Sequence, residues 1–490
     1  MTAELTSNTK KQSAAGDSRS WWTLGLLLLG QFMGLLDVYI VNVAMPSIGA
    51  DLHASGASLQ LVVGGYTVAY AMLLITGARL GDLFGRRRMF LVGVVGFTLA
   101  SLICGLAPNI AVLIVFRFIQ GGTAALMIPQ IISVIQMRFS GRARATALSL
   151  YSVTLSVGAV AGLVLGGVLV NANLFNAHWR PTFLVNVPLG IILVALAPVL
   201  LPADRPTGTR RIDPLGLAIA VPAVFLVVLP LVLGHDVGWP AWTFVCMAIG
   251  VALGVVFVAV ERRVSARGGD PLLDLKVLHS GGLPAGLTTL LSVAAPYGGL
   301  LFVFTLHLQS GLGDSALHAG LVFIPMAVGN GLLGFYWRKL PERIHHLLPA
   351  IGALLIAVGG LALVATMNGG SGDNALTWVA LFVFGAGMGL AISPVLSQSL
   401  VHVPLKQAGD ASGLLTTAMQ LGQVVGVAAL GTVYLSVLRP LPPHTPQLAQ
   451  SSAHALSITA YSAAALIIVG ALSALALARA TLRAKALKAA

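Results

Sequence analysis

Residues 22–46 read WTLGLLLLGQFMGLLDVYIVNVAMP, an unbroken apolar run whose one charged side chain is Asp37. As a helix rising about 1.5 Å per residue, such a run crosses a hydrocarbon core of about 30 Å. Similar runs occur at 59–80, 88–107, 110–137, 145–171, 182–201, 213–234 and 241–261, and then at 284–308, 317–337, 347–367, 376–400, 409–437 and 456–480. The expected fold is all-α, a polytopic membrane protein with fourteen transmembrane helices. Composition agrees. Of 490 residues 57% are apolar and 9% charged, the mean hydropathy is +0.92, and a soluble domain carries roughly 25% charged residues. That balance excludes a soluble enzyme or nucleic-acid binder. A membrane β-barrel would show alternating strands of ~10 residues instead of these runs.

The net charge of +13 is distributed by topology. If the spans alternate, one side receives Lys10, Lys11, Arg19, Arg86 to Arg88, Arg138, Arg142, Arg144, Arg205, Arg210, Arg211, Arg262, Arg263, Arg267 and Lys276. The same side receives Arg338, Lys339, Arg343, Lys406, Arg479, Arg483, Lys485 and Lys488, whereas the other receives only Arg180 and Arg439. Cytoplasmic loops of membrane proteins are enriched in Lys and Arg, so both termini are expected in the cytoplasm. An odd span number would destroy the asymmetry. The polar N-terminal stretch and the long first run after it read as an uncleaved first helix rather than a signal peptide. No nucleic-acid partner is needed to explain the basic pI of about 10.3. Cys104 and Cys246 both fall in apolar runs and offer no disulfide framework.

An internal repeat divides the chain. Gly158, Gly162 and Gly167 in the fifth span match Gly422, Gly426 and Gly431 in the thirteenth at a constant offset of 264 (422 minus 158). Ala147 with Ala411, Leu150 with Leu414, Val160 with Val424, and Arg142 with Lys406 share it; Pro129 and Pro394 match at 265. Duplicated helical bundles are a common plan of transporters. The expected organisation is a first six-helix bundle (1–205), two inserted helices (206–270) and a second six-helix bundle (271–490). Glycines such as Gly158, Gly162, Gly166, Gly167, Gly422 and Gly426 let neighbouring backbones approach closely, and at a seam between rocking halves they also let the seam seal and reopen.

Two charges stay deep in the membrane, Asp37 and Arg117. Asp37 lies nine positions before Pro46 at the outer end of its span, and Arg117 nine positions after Pro108 at the start of its own. Both therefore sit about 13 Å below the same membrane face and can pair if their helices are neighbours. Burial opposes ionisation of a carboxyl group and a guanidinium favours it, so Asp37 is a candidate proton site whose balance shifts with access. The other reading is a static ion pair that fixes helix geometry. Gln31, Asn42, Tyr66, Tyr70 and Gln120 are candidates to line a substrate cavity or simply to pack. His307 falls near the external end of the ninth span, and Asp410 reads as a helix cap beside Lys406. There is no metal-ligand cluster, phosphate loop or protease dyad, so neither an enzyme nor an ATP-driven pump is expected, and no cofactor beyond a proton gradient.

The motifs resemble the major facilitator superfamily, and within it the fourteen-span drug:proton antiporters. Leu36-Asp37 through Ile40-Val41-Asn42-Val43-Ala44-Met45-Pro46 resembles that family's first-helix motif, and Leu80-Gly81-Asp82-Leu83-Phe84-Gly85-Arg86-Arg87-Arg88 its loop between helices two and three. Arg117 with Gln120-Gly121-Gly122 resembles the fourth-helix motif, whose arginine is implicated in proton coupling. The fifth helix resembles the antiporter motif, Trp179-Arg180 with Phe183 and Asn186-Val187-Pro188 the entry to helix six, and Ala411-Ser412-Gly413 with Gln420-Leu421-Gly422 the thirteenth helix. The resemblance implies a monomeric secondary transporter of the cytoplasmic membrane that exports small lipophilic compounds in exchange for protons. It also implies a conformational latch of Asp82, Gly85, Arg86 and Arg87. Three departures matter: Ala78 replaces the loop motif's first glycine, Leu163 replaces the antiporter motif's proline, and Phe382 stands where the second half would repeat Arg117. Proton chemistry is therefore expected in the first half. Two further readings stay open, a carrier of one defined metabolite and a transport-dead sensor or scaffold; a channel fits the duplicated core less well.

Overall fold

The structure, a computed structural model, describes residues 18–139, 141–173, 176–201, 213–234, 237–269, 271, 278, 281–367, 374–400, 403, 408–439, 441–442 and 445–489. Long helices make up nearly all of it. The first set comprises α1 (Ser18–Leu52), α2 (Gly56–Phe84), α3 (Arg86–Gly105), α4 (Ile110–Arg138), α5 (Gly141–Ala172), α6 (Pro181–Leu184) and α7 (Asn186–Leu200). Two helices come next, α8 (Pro214–Leu233) and α9 (Ala241–Ala266). The second set is α10 (Leu283–Leu306), α11 (Ala316–Val322), α12 (Ile324–Tyr336), α13 (Leu348–Thr366), α14 (Ala375–Leu400), α15 (Ala408–Val437) and α16 (Pro446–Ala489).

Among the described residues thirteen helical stretches are long and apolar enough to cross a membrane. The expected seventh span, α8, contributes a shorter apolar stretch, Leu215–Leu231, which carries Pro222 and Pro230. Two expected single spans are broken. The sixth divides at Val185 into α6 and α7, and the tenth at Phe323 into α11 and α12. Pro188 and Pro325 sit just inside the second helix of each pair, where the missing N–H removes a bond from the preceding turn. Between α2 and α3 the chain turns on Gly85 alone, at φ 94°, a conformation that a side chain disfavours.

The packing is uneven along the long axis. One end of the bundle bears Arg86 to Arg88 and Arg138 and is here the basic end. Near it the buried apolar residues form separate clusters. Leu24, Leu27, Met33, Phe90, Phe97 and Met127 belong to the first set, and Leu283, Leu290, Val395, Leu415 and Leu477 to the second. Toward the opposite end the sets share one core, in which Ile40, Val43 and Ile48 of α1 cluster with Leu301 and Phe304 of α10 and with Phe323. That end is also pinned on its surface. Asp51 accepts from Trp179 Nε1 at 2.9 Å and Arg180 at 2.8 Å, and Arg180 reaches the Ala107 carbonyl at 3.3 Å.

Candidate functional site

Five elements of the first set converge on Asp37. An Arg117 terminal nitrogen lies 2.5 Å from Asp37 Oδ2, with Asp37 0% and Arg117 1% exposed. Arg117 and Gln120 stand one turn apart on α4 and therefore share a face. Gln120 accepts from Arg117 at 2.7 Å, and its amide donates to Asp37 Oδ1 and to Ser101 Oγ on α3, both at 2.7 Å. Asn186, the first residue of α7, donates to Asp37 Oδ1 at 2.8 Å. The break before α7 is what aims this side chain inward. Arg117 Nε donates to the Val62 carbonyl of α2 at 2.8 Å. Its guanidinium lies 4.7 Å from the centre of the Tyr66 ring and 5.7 Å from that of Phe183, within range of cation–π attraction.

The carboxylate thus accepts three N–H groups, and the guanidinium meets a carboxylate, an amide oxygen, a backbone carbonyl and two ring faces. Two buried charges endure in a low-dielectric interior only when paired and hydrogen-bonded in this way. The arrangement leaves each charge dependent on the other, so a change in the charge of Asp37 removes the counter-ion of Arg117 and disturbs the Gln120 amide that bonds both.

The expected cavity residues do not all share one role. Gln120 is committed to the ion pair. Tyr66 lies beneath the guanidinium, stacks on Tyr70 at 6.3 Å and meets Phe97 edge-on at 6.5 Å. Asn42 bonds back to Val38 in its own helix at 2.8 Å. Gln31 is 3% exposed and its Oε1 has no hydrogen-bond partner. Two residues complete the shell that the sequence does not mark as site residues, Asn186, which stands in a motif, and Ser101, which stands in none.

Of the latch residues, Gly85 makes the turn and Arg86 and Arg87 open α3; the Asp82 side chain lies outside the described residues, as do those of Arg142, Lys406 and Asp410. Arg79 donates to the Pro271 carbonyl and so joins α2 to the segment leading to the second set.

The glycine stripes divide their work. A methyl group added at Gly162 would lie 2.7 Å from Tyr39 Cβ and 2.9 Å from the Leu36 carbonyl; at Gly158 and Gly166 it would also meet α1, at 3.0 Å in each case. Only Gly167 of this stripe turns to the other set, where the added methyl would lie 2.6 Å from Leu317 Cα. At Gly422 and Gly426 it would lie 2.7 Å from the Leu291 carbonyl and 1.8 Å from that of Ala295, both on α10. α5 on α1 and α15 on α10 are therefore equivalent packings. Most of these glycines thus serve close packing within each set, while Gly167 and Gly431, where an added methyl would lie 3.0 Å from Gln60 Nε2, face the other set.

The seam itself is made by other residues. The Tyr39 and Tyr297 hydroxyls meet at 2.6 Å, Gln309 donates to the Val43 carbonyl at 3.0 Å, and a methyl at Gly320 would lie 2.4 Å from the Leu163 carbonyl.

The profile of the Major Facilitator Superfamily matches residues 27–427. The chain belongs to the Major Facilitator Superfamily. It is 39% identical over 429 residues to a probable actinorhodin transporter of Streptomyces coelicolor, covering 86% of this chain and 73% of that protein. It is 35% identical over 432 residues to puromycin resistance protein pur8 of Streptomyces alboniger, covering 85% and 82%. A solved bacterial homologue of the human lysosomal transporter Spinster, inward-facing and unoccupied, superposes with a TM-score of 0.68 at 17% identity, covering 96% of this chain and 99% of that one. This superfamily chain is accordingly a transporter and not an enzyme.

Proposed function

We propose that the chain is a fourteen-span drug:proton antiporter that exports lipophilic compounds across the cytoplasmic membrane by alternating access, with Asp37 as its proton site. The observation that carries this reading is the fully buried Asp37–Arg117 pair, held by Gln120 and Asn186. Protonation of Asp37 removes one charge of the pair and leaves Arg117 without its counter-ion. The surrounding helices must then rearrange or hydrate the guanidinium, which is how one proton is made to bias a conformational equilibrium. Relatives named for antibiotic transport and resistance support export of such compounds.

In this reading the units are 1–205, 206–270 and 271–490, the basic end is cytoplasmic with both termini, and the working form is a monomer that uses no cofactor beyond the proton gradient. In this reading the core that the two sets share at the far end is the outward seal. The test is proton movement in proteoliposomes that hold a pH gradient, with a panel of lipophilic cations and neutral drugs added to wild type and Asp37→Asn. Substrate-evoked proton flux in wild type, lost in the variant, is the expected result. Substrate movement without proton flux in wild type would refute antiport and leave uniport of a defined compound as the reading.

A further inference from the structure

A second buried polar cluster, in the other half, takes no part in the Asp37 site. α10 does not end cleanly at Leu306 but loosens into one π-turn, His307–Gly311, closed by the Leu312 amide on the His307 carbonyl at 2.9 Å. A π-turn inserts one residue into a helix and re-aims its side chains, and such turns recur at functional sites. Here it turns the His307 ring, 0% exposed, to within 2.7 Å of Ser452 Oγ on α16 through Nδ1. The same hydroxyl lies 2.6 Å from the Tyr434 hydroxyl on α15. Nε2 is buried with no hydrogen-bond partner.

The groups facing the ring are few. α15 brings Tyr434, which is titratable; α16 brings the Ser452 hydroxyl; α10 brings the Phe304 ring at 6.2 Å. Asp314, just before α11, and His318, within it, each make interactions. Among the described residues no salt bridge joins the ring to a charged side chain.

Proton counting shows what this site holds. In the neutral ring one nitrogen bonds Ser452 and the other is left over, whichever tautomer is present. A second proton makes both nitrogens donors. Nδ1–H still has Ser452, but Nε2–H has no acceptor, and among the described residues no salt bridge balances the positive charge. The protonated ring is therefore ill-matched to the sealed structure, and water at Nε2 would satisfy it. The same π-turn also carries Gln309, whose amide reaches across to Val43 of α1 at 3.0 Å, near the Tyr39–Tyr297 contact. A shift of this turn that admits water to His307 also withdraws Gln309 from the first half.

We propose that His307 is a second proton-binding site, filled from the side opposite the basic end, whose protonation breaks the Gln309–Val43 contact and opens the seal between the halves. This rests on the alternating-access reading and adds to it a proton sensor on the outward gate, separate from the coupling carboxylate.

The test is hydrogen exchange of the full-length protein in lipid nanodiscs at pH 5.5 and 8.0, corrected for the chemical pH dependence of exchange. Peptides covering 36–48 and 300–320 report the seam, and one within 348–366 is the control. In wild type, seam protection is expected to fall by about tenfold at the lower pH while the control is unchanged. His307→Gln is expected to keep its pH 8.0 protection at both values, and Asp37→Asn to retain the wild-type fall. Gln309→Met, which leaves the ring and its partners in place, is expected to show low seam protection at both values. A wild type without the fall, a His307→Gln protein that keeps it, or a Gln309→Met protein as protected as wild type would each overturn the proposal. No substrate or gradient enters the measurement, so its outcome is independent of whether the proton-flux test succeeds.

Discussion

Replacing Asp37 with Asn keeps the shape of the side chain and removes its charge, and the hydrogen-bond geometry around it sets the cost. The carboxylate accepts three donors, from Arg117, Gln120 and Asn186. Asparagine offers one acceptor oxygen and an amino group that must face at least one of those donors. Gln120 can relieve that clash by flipping its amide, but it then withdraws its own oxygen from Arg117. Breaking one side of a buried ion pair costs about 3–5 kcal/mol. Arg117 keeps the Val62 carbonyl and the Tyr66 face, which places the loss near the lower limit, about 3 kcal/mol, or ~6 °C in apparent Tm at roughly 2 °C per kcal/mol for a large domain. Arg117→Gln should cost less, because a carboxylate left without its cation can take up a proton whereas a guanidinium cannot lose one. The double variant Asp37→Asn/Arg117→Gln puts two neutral amides at the site and should be more stable than Asp37→Asn alone. The assay is thermal unfolding of the four proteins in one detergent, monitored by intrinsic fluorescence at a fixed scan rate. If the double variant loses the sum of the two single losses, the side chains do not depend on each other and the coupling argument fails.

Other contacts set three further outcomes. Asn186→Leu removes one donor from Asp37 Oδ1 and should cost about 1–3 kcal/mol, with substrate-evoked proton flux reduced but not abolished; flux equal to wild type would show that Asn186 only packs. Gly426→Ala drives a methyl to 1.8 Å from the Ala295 carbonyl and should destabilise by about 1–3 kcal/mol, whereas Gly254→Ala, with nothing within 4 Å, should be neutral or stabilising by up to about 1 kcal/mol; thermal unfolding of both proteins checks the contrast. Tyr39→Phe breaks the hydroxyl contact to Tyr297 at a cost to the closed seam of about 1 kcal/mol, and exchange in 36–48 should quicken about fivefold at pH 8.0.

The sequence exposes what the membrane penalises. An aspartate and an arginine inside apolar runs stand out because insertion is costly, and counting from flanking prolines at a fixed rise per residue places them at one depth; the structure joins them at 2.5 Å. Asn186 and Ser101 carry no such mark. Neutral polar residues are common in membrane helices, and only the break at Val185, a tertiary feature set beside Pro188, decides that Asn186 points at the carboxylate. The glycine periodicity shows close packing but not the partner, and the structure alone assigns Gly158, Gly162 and Gly166 to α1 and Gly167 to the other set. The π-turn at His307 is equally hidden, since one inserted residue leaves no trace in an apolar pattern.

The inserted helix α8 gives the molecule a spine. It packs against both α2 and α15, and Thr432 of α15 bonds the Leu231 carbonyl at 3.3 Å. Among the described residues the contact of α5 with α11 and α12, on another flank between the sets, has no such bridging helix. Separating α2 from α15 means shearing a third helix along both, while α5 parts from its neighbours by breaking only its own contacts. The two flanks are therefore built unequally, one bound through a shared helix as pages are bound through a spine and the other held by its own contacts alone.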